Sequence, residues 1–170
     1  LPSLRRIGTL VVPSEANSVF NTSRLIAEAQ RFGIEVEQMA VNAVTEVADA
    51  AAALTGRDID AVLQVGSNLT TSSFVMVAKA ARDARVPLWS VLSGDLRKGA
   101  AVVVARDYEE AGHQAAGMAV RILLGESPAA IPFQPIATSR LMVNLEAARE
   151  QGLRLPAAIV ERAEVVIGEP

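Results

Sequence analysis

The spacing of apolar residues along the chain predicts an alternation of short buried strands and amphipathic helices. The predicted strands are Ile7–Val12, Ile34–Val41, Ala61–Val65, Val86–Val91, Ala100–Ala105 and Leu141–Val143. The predicted helices are Ala16–Phe32, Thr45–Leu54, a helix after Gly66-Ser67-Asn68 that ends near Ala84, Asp107–Leu124, Asn144–Gln151 and Pro156–Ala163. Such alternation predicts an α/β fold: a Rossmann-like three-layer α/β/α lobe with a mainly parallel sheet.

Several residues mark where the predicted helices begin and end. Gly33 fits a left-handed cap after the first helix, whose apolar stripe is Val19, Leu25, Ile26, Ala29 and Phe32. Asp107 with Glu110 has the spacing of a capping box, and Gly125 ends that helix. Three prolines between positions 128 and 135 then predict an extended connection.

Composition narrows the classes of function. The chain has 170 residues, enough for one ordinary domain or slightly more. Its net charge of −3 and the absence of a basic cluster give no basis for a nucleic-acid partner. With no cysteine, disulfides and thiolate chemistry are excluded, and no apolar run approaches the roughly 18 residues of a membrane helix. The chain begins at Leu1, which suggests a processed or excised piece of a longer protein.

No catalytic, cofactor or metal motif is present in the sequence. Glycine-rich nucleotide cradles, the nucleophile elbow and His/Cys clusters are all absent. The single histidine, His113, falls off the apolar face of its helix and is expected to be solvated. Asp58 and Asp60 precede the third strand, where a turn and capping role is favoured over ligand binding. We therefore expect neither catalysis nor a cofactor.

Three polar turns follow predicted strands and are the best candidates for a binding site. They are Ser14–Ser18, Gly66–Asn68 and Ser93-Gly94-Asp95. If the strand order is 2-1-3-4-5, these turns meet at one edge of the sheet, with the first two beside the switch point where ligands bind. Helix capping, such as a cap by Ser14, explains any one of them, but three together favour ligand binding. The candidate ligand-binding residues are Glu15, Asn17, Ser18, Ser67, Asn68 and Ser93.

Several segments, in order, resemble one known family. Pro13-Ser14-Glu15-Ala16-Asn17-Ser18 resembles a turn of the tryptophan/tyrosine-type substrate-binding proteins of ABC transporters, which have the type I periplasmic-binding-protein fold. Four later stretches are similar to the same family: Lys98–Ala101, Asp107–Pro128, Met142–Ala148 and Gly152–Pro156. The resemblance covers nearly the whole chain and is more specific than any single motif.

The resemblance implies an extracytoplasmic receptor that closes two lobes over a small polar or amino-acid-like solute and delivers it to a membrane permease. It implies that residues 1–104 belong to the second lobe, that 105–138 would pack in a preceding first lobe, and that 139–170 return to the second. It also implies Glu15, Asn17, Ser18 and Asn68 as ligand contacts. Without the first lobe, helix Asp107–Leu124 would have an unpartnered apolar face, and we expect a homodimer through it.

The chain departs from the family pattern at two turns. Gly66-Ser67-Asn68 replaces a common Thr-Asp-Asn, and Leu92 replaces a common aspartate, so the usual partners of a ligand amino group are missing. A less cationic or more apolar solute is therefore an alternative to an aromatic amino acid. Trp89 is interpreted as a core residue in preference to a stacking surface. Two alternative functions stay open: the effector-binding lobe of a transcription regulator of the same fold, and a flavodoxin-like enzyme or subunit.

Overall fold

A computed structural model of the chain describes residues 4–136 and 138–169. These described residues form seven strands, which are β1 (Arg6–Val11), β2 (Glu35–Ala40), β3 (Ala61–Gln64), β4 (Leu88–Ser90), β5 (Val102–Arg106), β6 (Ser139–Asn144) and β7 (Val165–Ile167). The helices are α1 (Ala16–Arg31), α2 (Val47–Thr55), α3 (Asn68–Ser72), α4 (Phe74–Ala84), α5 (Tyr108–Leu123), α6 (Leu145–Glu150) and α7 (Ala157–Arg162). Short 3-10 segments cover Val44–Glu46, Ser93–Lys98 and Pro128–Ala130.

The strands form one sheet in the order β2-β1-β3-β4-β5-β6-β7. The first five strands are parallel and confirm the order 2-1-3-4-5, while β6 pairs antiparallel with β5 and β7 parallel with β6. Strand β7 was not predicted, because three residues beside charged neighbours carry too little pattern. The prediction of a mainly parallel α/β/α lobe is confirmed.

Apolar side chains cover both faces of the sheet. On one face, α2 and α4 bury Leu54, Phe74 and Val77 against Leu10 and Val103 of the strands. On the other face, α1 packs Ala29 against Ile7 of β1 and Ala61 of β3. Helix α6 covers the far end of the same face through Ala148 and Ala101. This double covering explains why the strands are nearly continuous apolar runs.

The structure corrects the predicted apolar stripe of α1. Val19 and Phe32 are 46% and 77% exposed, whereas Ser18 and Thr22 are buried. The reason is a hydrogen bond from the Val12 N–H to the Ser18 hydroxyl at 2.9 Å, which turns the polar side of the first turns toward the sheet. Local hydrogen bonding therefore outweighs the periodicity of apolar residues at this end of the helix.

The structure also corrects two predictions about helix boundaries, one after β3 and one at the start of α1. The helix predicted to reach Ala84 without interruption is broken at Ser73, which ends α3 and begins α4. Ser14 does not cap α1: the capping position is Glu15, whose side chain makes no cap hydrogen bond to that helix. Glu15 instead contacts a different helix, as described below.

The remaining capping predictions are confirmed in part. The Asp107 carboxylate accepts hydrogen bonds from the N–H groups of Glu109 and Glu110, each at 3.1 Å. The reciprocal half of a capping box is missing, because the Asp107 N–H donates to the Thr138 carbonyl. Asp60 has the predicted structural role, since its carboxylate accepts from the N–H groups of Arg5 and Arg6.

Helix α5 differs from the other long helices because it buries none of its residues. Tyr108, Val120, Leu123 and Leu124 along it and at its end are between 54% and 85% exposed. Over the two described ranges of the chain, no helix is long and apolar enough to cross a membrane. Helix α5 is thus an amphipathic helix whose apolar side chains are not buried by the described part of this lobe.

Candidate functional site

The turns after β1 and β3 are joined by the side chain of Glu15. Its carboxylate accepts hydrogen bonds from the N–H of Asn68 at 2.6 Å and from the N–H of Leu69 at 2.9 Å. Both N–H groups lie in the first turn of α3 and have no carbonyl partner within that helix, and a negative charge is favoured there. Asn21 adds a second link by donating from Nδ2 to the Gly66 carbonyl at 2.9 Å. Two of the three predicted turns therefore form one rim.

The third turn lies against this rim through β4. A Cβ atom placed on Gly66 would lie 3.8 Å from Leu92, the residue before Ser93. Predicted as a turn, Ser93-Gly94-Asp95 instead begins the 3-10 helix Ser93–Lys98. Lys98 donates to the Thr71 carbonyl at 3.3 Å, which ties this helix to α3.

Asp95 holds the third turn in place from inside the protein. It is 2% exposed and accepts hydrogen bonds from the Ser90 hydroxyl at 2.7 Å and from Lys98 Nζ at 3.3 Å. A buried carboxylate is tolerated because a cation and a hydroxyl partner it. Sequence reasoning named Asp95 only as part of a turn. The nearest signal in the sequence is its partner Ser90, which lies five residues earlier in the predicted fourth strand.

The six predicted site residues fall into three groups. Ser18 and Ser67 are buried, and their hydroxyls bond the Val12 N–H and the Thr70 N–H. Glu15 is half-buried in the bridge to α3. Asn17, Asn68 and Ser93 are exposed at the ends of β1, β3 and β4. Only the last group presents its side chains freely to solvent.

Trp89 lies on β4 and packs against the cluster of Ile7, Ala29 and Ala61 beneath α1. Its half-buried side chain therefore belongs to the core on that face of the sheet, as the sequence interpretation favoured. His113 is exposed on α5, also as predicted. Neither residue lies among the polar groups of the rim.

The rim is chemically suited to holding polar atoms. Its accessible groups are the amides of Asn17 and Asn68 and the hydroxyl of Ser93, with backbone N–H groups already used by Glu15. Within residues 4–136 and 138–169, no group of three His, Cys, Asp or Glu side chains is placed to hold a metal ion. The exposed side chains of the rim offer neutral hydrogen-bonding groups, and the half-buried carboxylate of Glu15 lies beside them.

The concavities of this lobe include two grooves outside the rim. A groove of about 940 Å³ runs between α6 and α7, with Leu145, Leu153 and Val160 in its lining. A smaller one of about 230 Å³ lies beside Val75 and Gln151. Neither groove is lined by Asn17, Asn68 or Ser93.

The order of the strands, the switch point and the polar rim define a class of protein: the chain is one lobe of the type I periplasmic-binding-protein fold. Comparison with known sequences goes further. A family model described as ABC transporter substrate binding protein matches residues 1–167, and the chain belongs to that family.

Three relatives illustrate the similarity. A tyrosine-binding protein of Clostridioides difficile (strain R20291) is 29% identical over 143 residues, covering 84% of this chain and 41% of the relative. A conserved domain protein of Vibrio cholerae O1 has a TM-score of 0.86 at 27% identity, over 98% of this chain and 56% of that one. An ABC domain from Streptococcus pneumoniae in complex with L-Trp has a TM-score of 0.81 at 27% identity, over 98% and 57%.

The chain thus spans about half the length of the relatives that it matches. The matched family is a class of substrate-binding proteins, which is not an enzymatic class. The rim described above lies at the carboxyl ends of β1, β3 and β4 in this half of the fold.

Proposed function

We propose that the chain is the second lobe of a solute-binding protein that captures a small polar or amino-acid-like molecule for an ABC importer. The observation that carries the proposal is the Glu15 bridge, which holds the turns after β1 and β3 together as one rim. Ligands of open α/β sheets bind at this position, outside the carboxyl ends of the strands. The family match and the relatives that bind tyrosine or tryptophan support an amino-acid-like ligand.

Each predicted site residue has a role in this proposal. Asn17, Asn68 and Ser93, which are exposed, contact the polar atoms of the ligand. Glu15, Ser18 and Ser67 act from behind them: Glu15 joins the two turns, Ser18 fixes the start of α1, and Ser67 caps α3. A rim held by its own hydrogen bonds loses little conformational freedom when the ligand binds.

We propose that the ligand lies in a cleft between this rim and a first lobe, which supplies the opposite wall. Residues 1–104 and 139–170 form the second lobe, and 105–138 cross to the first. The support is that α5, within this crossing segment, buries no residue against the lobe described here. Closure of the two lobes would exclude water from the ligand, as in other hinged binding proteins.

The whole protein is proposed to act outside the cytoplasm and to associate with the membrane through an ABC permease. This placement rests on the family to which the chain belongs. The regulator alternative has weaker support, because the repressor structure that resembles this chain shares 14% identity and shows the fold alone.

Calorimetric titration of the full-length protein with L-tyrosine and L-tryptophan tests the proposal. We expect at least one of them to bind, and Asn17→Ala or Asn68→Ala to weaken binding about tenfold, the effect of losing one good hydrogen bond to a charged group. Asn42→Ala is the control, because Asn42 is an exposed asparagine that follows β2 at the edge of the sheet. Equal weakening by the control, or no binding of either amino acid, would contradict the proposal.

A further inference from the structure

A buried glutamine completes the sheet where β1 and β3 separate. The paired register between these strands covers Ile7 with Ala61 and Gly8 with Val62. Farther along, both backbone polar groups of Leu10 bond the side chain of Gln64. The Leu10 N–H donates to Oε1 at 3.3 Å, and Nε2 donates to the Leu10 carbonyl at 3.3 Å. The side-chain amide therefore stands in for a peptide unit of the neighbouring strand.

The same amide extends to the candidate site. Gln64 Nε2 lies 2.9 Å from the Val65 carbonyl and 3.1 Å from Thr70 Oγ1. The Thr70 hydroxyl in turn lies 2.5 Å from the hydroxyl of Ser67, which caps α3. Gln64 is 3% exposed, so no ligand at the rim can touch it. A continuous set of hydrogen bonds thus connects Leu10 with the first turn of α3.

We infer that Gln64 is a positioning residue: it sets the separation between the end of β1 and the first turn of α3, and thereby the affinity for the ligand. The inference rests on the proposed function, in which Asn17 and Asn68 contact the ligand from these two elements. The buried N–H and C=O of Leu10 require partners. Without the glutamine amide, the strands must close or admit water to satisfy them, and either change moves Asn68 relative to Asn17.

Gln151 provides a matched control for the structural part of this role. It is 2% exposed and also bonds two backbone groups: its Oε1 accepts from the Leu88 N–H at 2.8 Å, and its Nε2 donates to the Gly99 carbonyl at 2.8 Å. Leu88 begins β4, at the end of the sheet opposite the rim. Loss of the Gln151 amide therefore removes comparable hydrogen bonds while leaving those among Gln64, Thr70 and Ser67 in place.

The test compares Gln64→Met with Gln151→Met in the full-length protein, since methionine keeps the length of the side chain and removes its amide. Both variants should lower the thermal midpoint. Titration with L-tyrosine and L-tryptophan should show that Gln64→Met raises the Kd about tenfold or more, whereas Gln151→Met changes it by less than about twofold. An equal change of Kd in the two variants would overturn the inference and leave the proposed function intact.

A second variant, Gln64→Glu, covers the case in which the methionine variant does not fold. A protonated carboxyl group can both accept from the Leu10 N–H and donate to its carbonyl, whereas the ionised form cannot donate. Affinity should therefore recover as the pH is lowered, relative to the native protein at the same pH. A ratio of affinities that stays constant with pH would count against the positioning role.

Hydrogen exchange gives a readout that needs no ligand. In Gln64→Met, the amides of residues 66–72 should exchange faster, while Gln151→Met should leave them protected. Unchanged protection of 66–72 in Gln64→Met overturns the inference. If the native protein binds neither amino acid, the proposed function fails together with the affinity claim, and the exchange data show separately whether Gln64 positions α3.

Discussion

The carboxylate of Glu15 accepts a hydrogen bond of 2.9 Å from the backbone N–H of Leu69, which lies 54 residues later in the chain. The same carboxylate bonds the N–H of Asn68. One side chain on the turn after β1 thus caps the helix that follows β3. This long-range cap, more than any local motif, creates a single rim from two separate turns.

Replacing Glu15 should lower the stability of the lobe, because its carboxylate bonds two backbone N–H groups of α3. Glu15→Gln retains one acceptor but places an NH2 group against a backbone N–H, so we expect a loss of about 1–2 kcal/mol in the free energy of unfolding. Urea denaturation measures it. Glu46→Gln is the control, because Glu46 accepts one local N–H, that of Asn42. A smaller loss for Glu15→Gln than for Glu46→Gln would speak against the bridge.

Asp60 should make the stability of the lobe depend on acidic pH. Hydrogen bonds from the Arg5 and Arg6 N–H groups lower the pKa of Asp60 below its ordinary value. A lowered native-state pKa means that the stabilisation is complete above the ordinary carboxyl pKa and is lost as the pH falls through the native-state pKa. Asp60→Asn should therefore cost about 1 kcal/mol at pH 7, allowing for screening by solvent, and progressively less in acid.

Urea titrations at a series of pH values measure this difference between Asp60→Asn and the native protein. Asp58→Asn is the matched control, since the Asp58 side chain is fully exposed in its ion pair with Arg6. A difference for Asp60→Asn that is the same at pH 7 and in acid would refute the assignment.

Two phenylalanines with different environments should respond very differently to truncation. Phe74 is completely buried on α4, whereas Phe20 on α1 is 61% exposed. Phe74→Ala should lower the free energy of unfolding by about 3–5 kcal/mol because it leaves a cavity. Phe20→Ala should change it by less than about 0.5 kcal/mol. Chemical denaturation of both variants measures the contrast, and comparable losses would contradict the burial of Phe74 beneath α4.

Two glycines should respond to alanine with opposite signs. A Cβ atom on Gly8 would lie 2.8 Å from Ile59 Cδ1 and 3.0 Å from Leu54 Cδ1, so Gly8→Ala should destabilise the lobe by about 1–3 kcal/mol. A Cβ atom on Gly112, within α5, would meet nothing within 4 Å. Gly112→Ala should therefore stabilise by about 0.5–1 kcal/mol through helix propensity. Thermal and urea unfolding of the 170-residue chain decide both signs.

The exposed apolar side of α5 leads to a prediction about association. Leu123 and Leu124 are 85% and 83% exposed, and apolar surface of this kind favours burial against a partner. We expect the 170-residue chain alone to form a homodimer through α5 in sedimentation equilibrium. The double substitution Leu123→Lys and Leu124→Lys should shift the chain to the monomer. A monomeric mass of the native chain at high concentration would end this prediction.

The elements and their order could be predicted because each depends on short-range patterns. The apolar runs of the first five strands, Gly33 after α1 and Asp107 before α5 are local signals that the structure confirms. Periodicity failed where hydrogen bonds decided the outcome: Ser18 faces the sheet because its hydroxyl bonds the Val12 N–H six residues earlier. It also missed the break at Ser73, where α3 ends and α4 begins. The three turns could be named, but the direction of their side chains could not.

The sequence alone thus determined an α/β lobe of a substrate-binding family, with polar turns at the ends of three strands. Only the tertiary structure decided that Glu15 reaches α3, that Gln64 bonds Leu10, and that Asn17, Asn68 and Ser93 stay exposed. The physical reason is the range of the interactions. Periodicity and capping act over a few residues, whereas each of these side-chain bonds joins groups 54 positions apart, which only the folded sheet brings within hydrogen-bond distance.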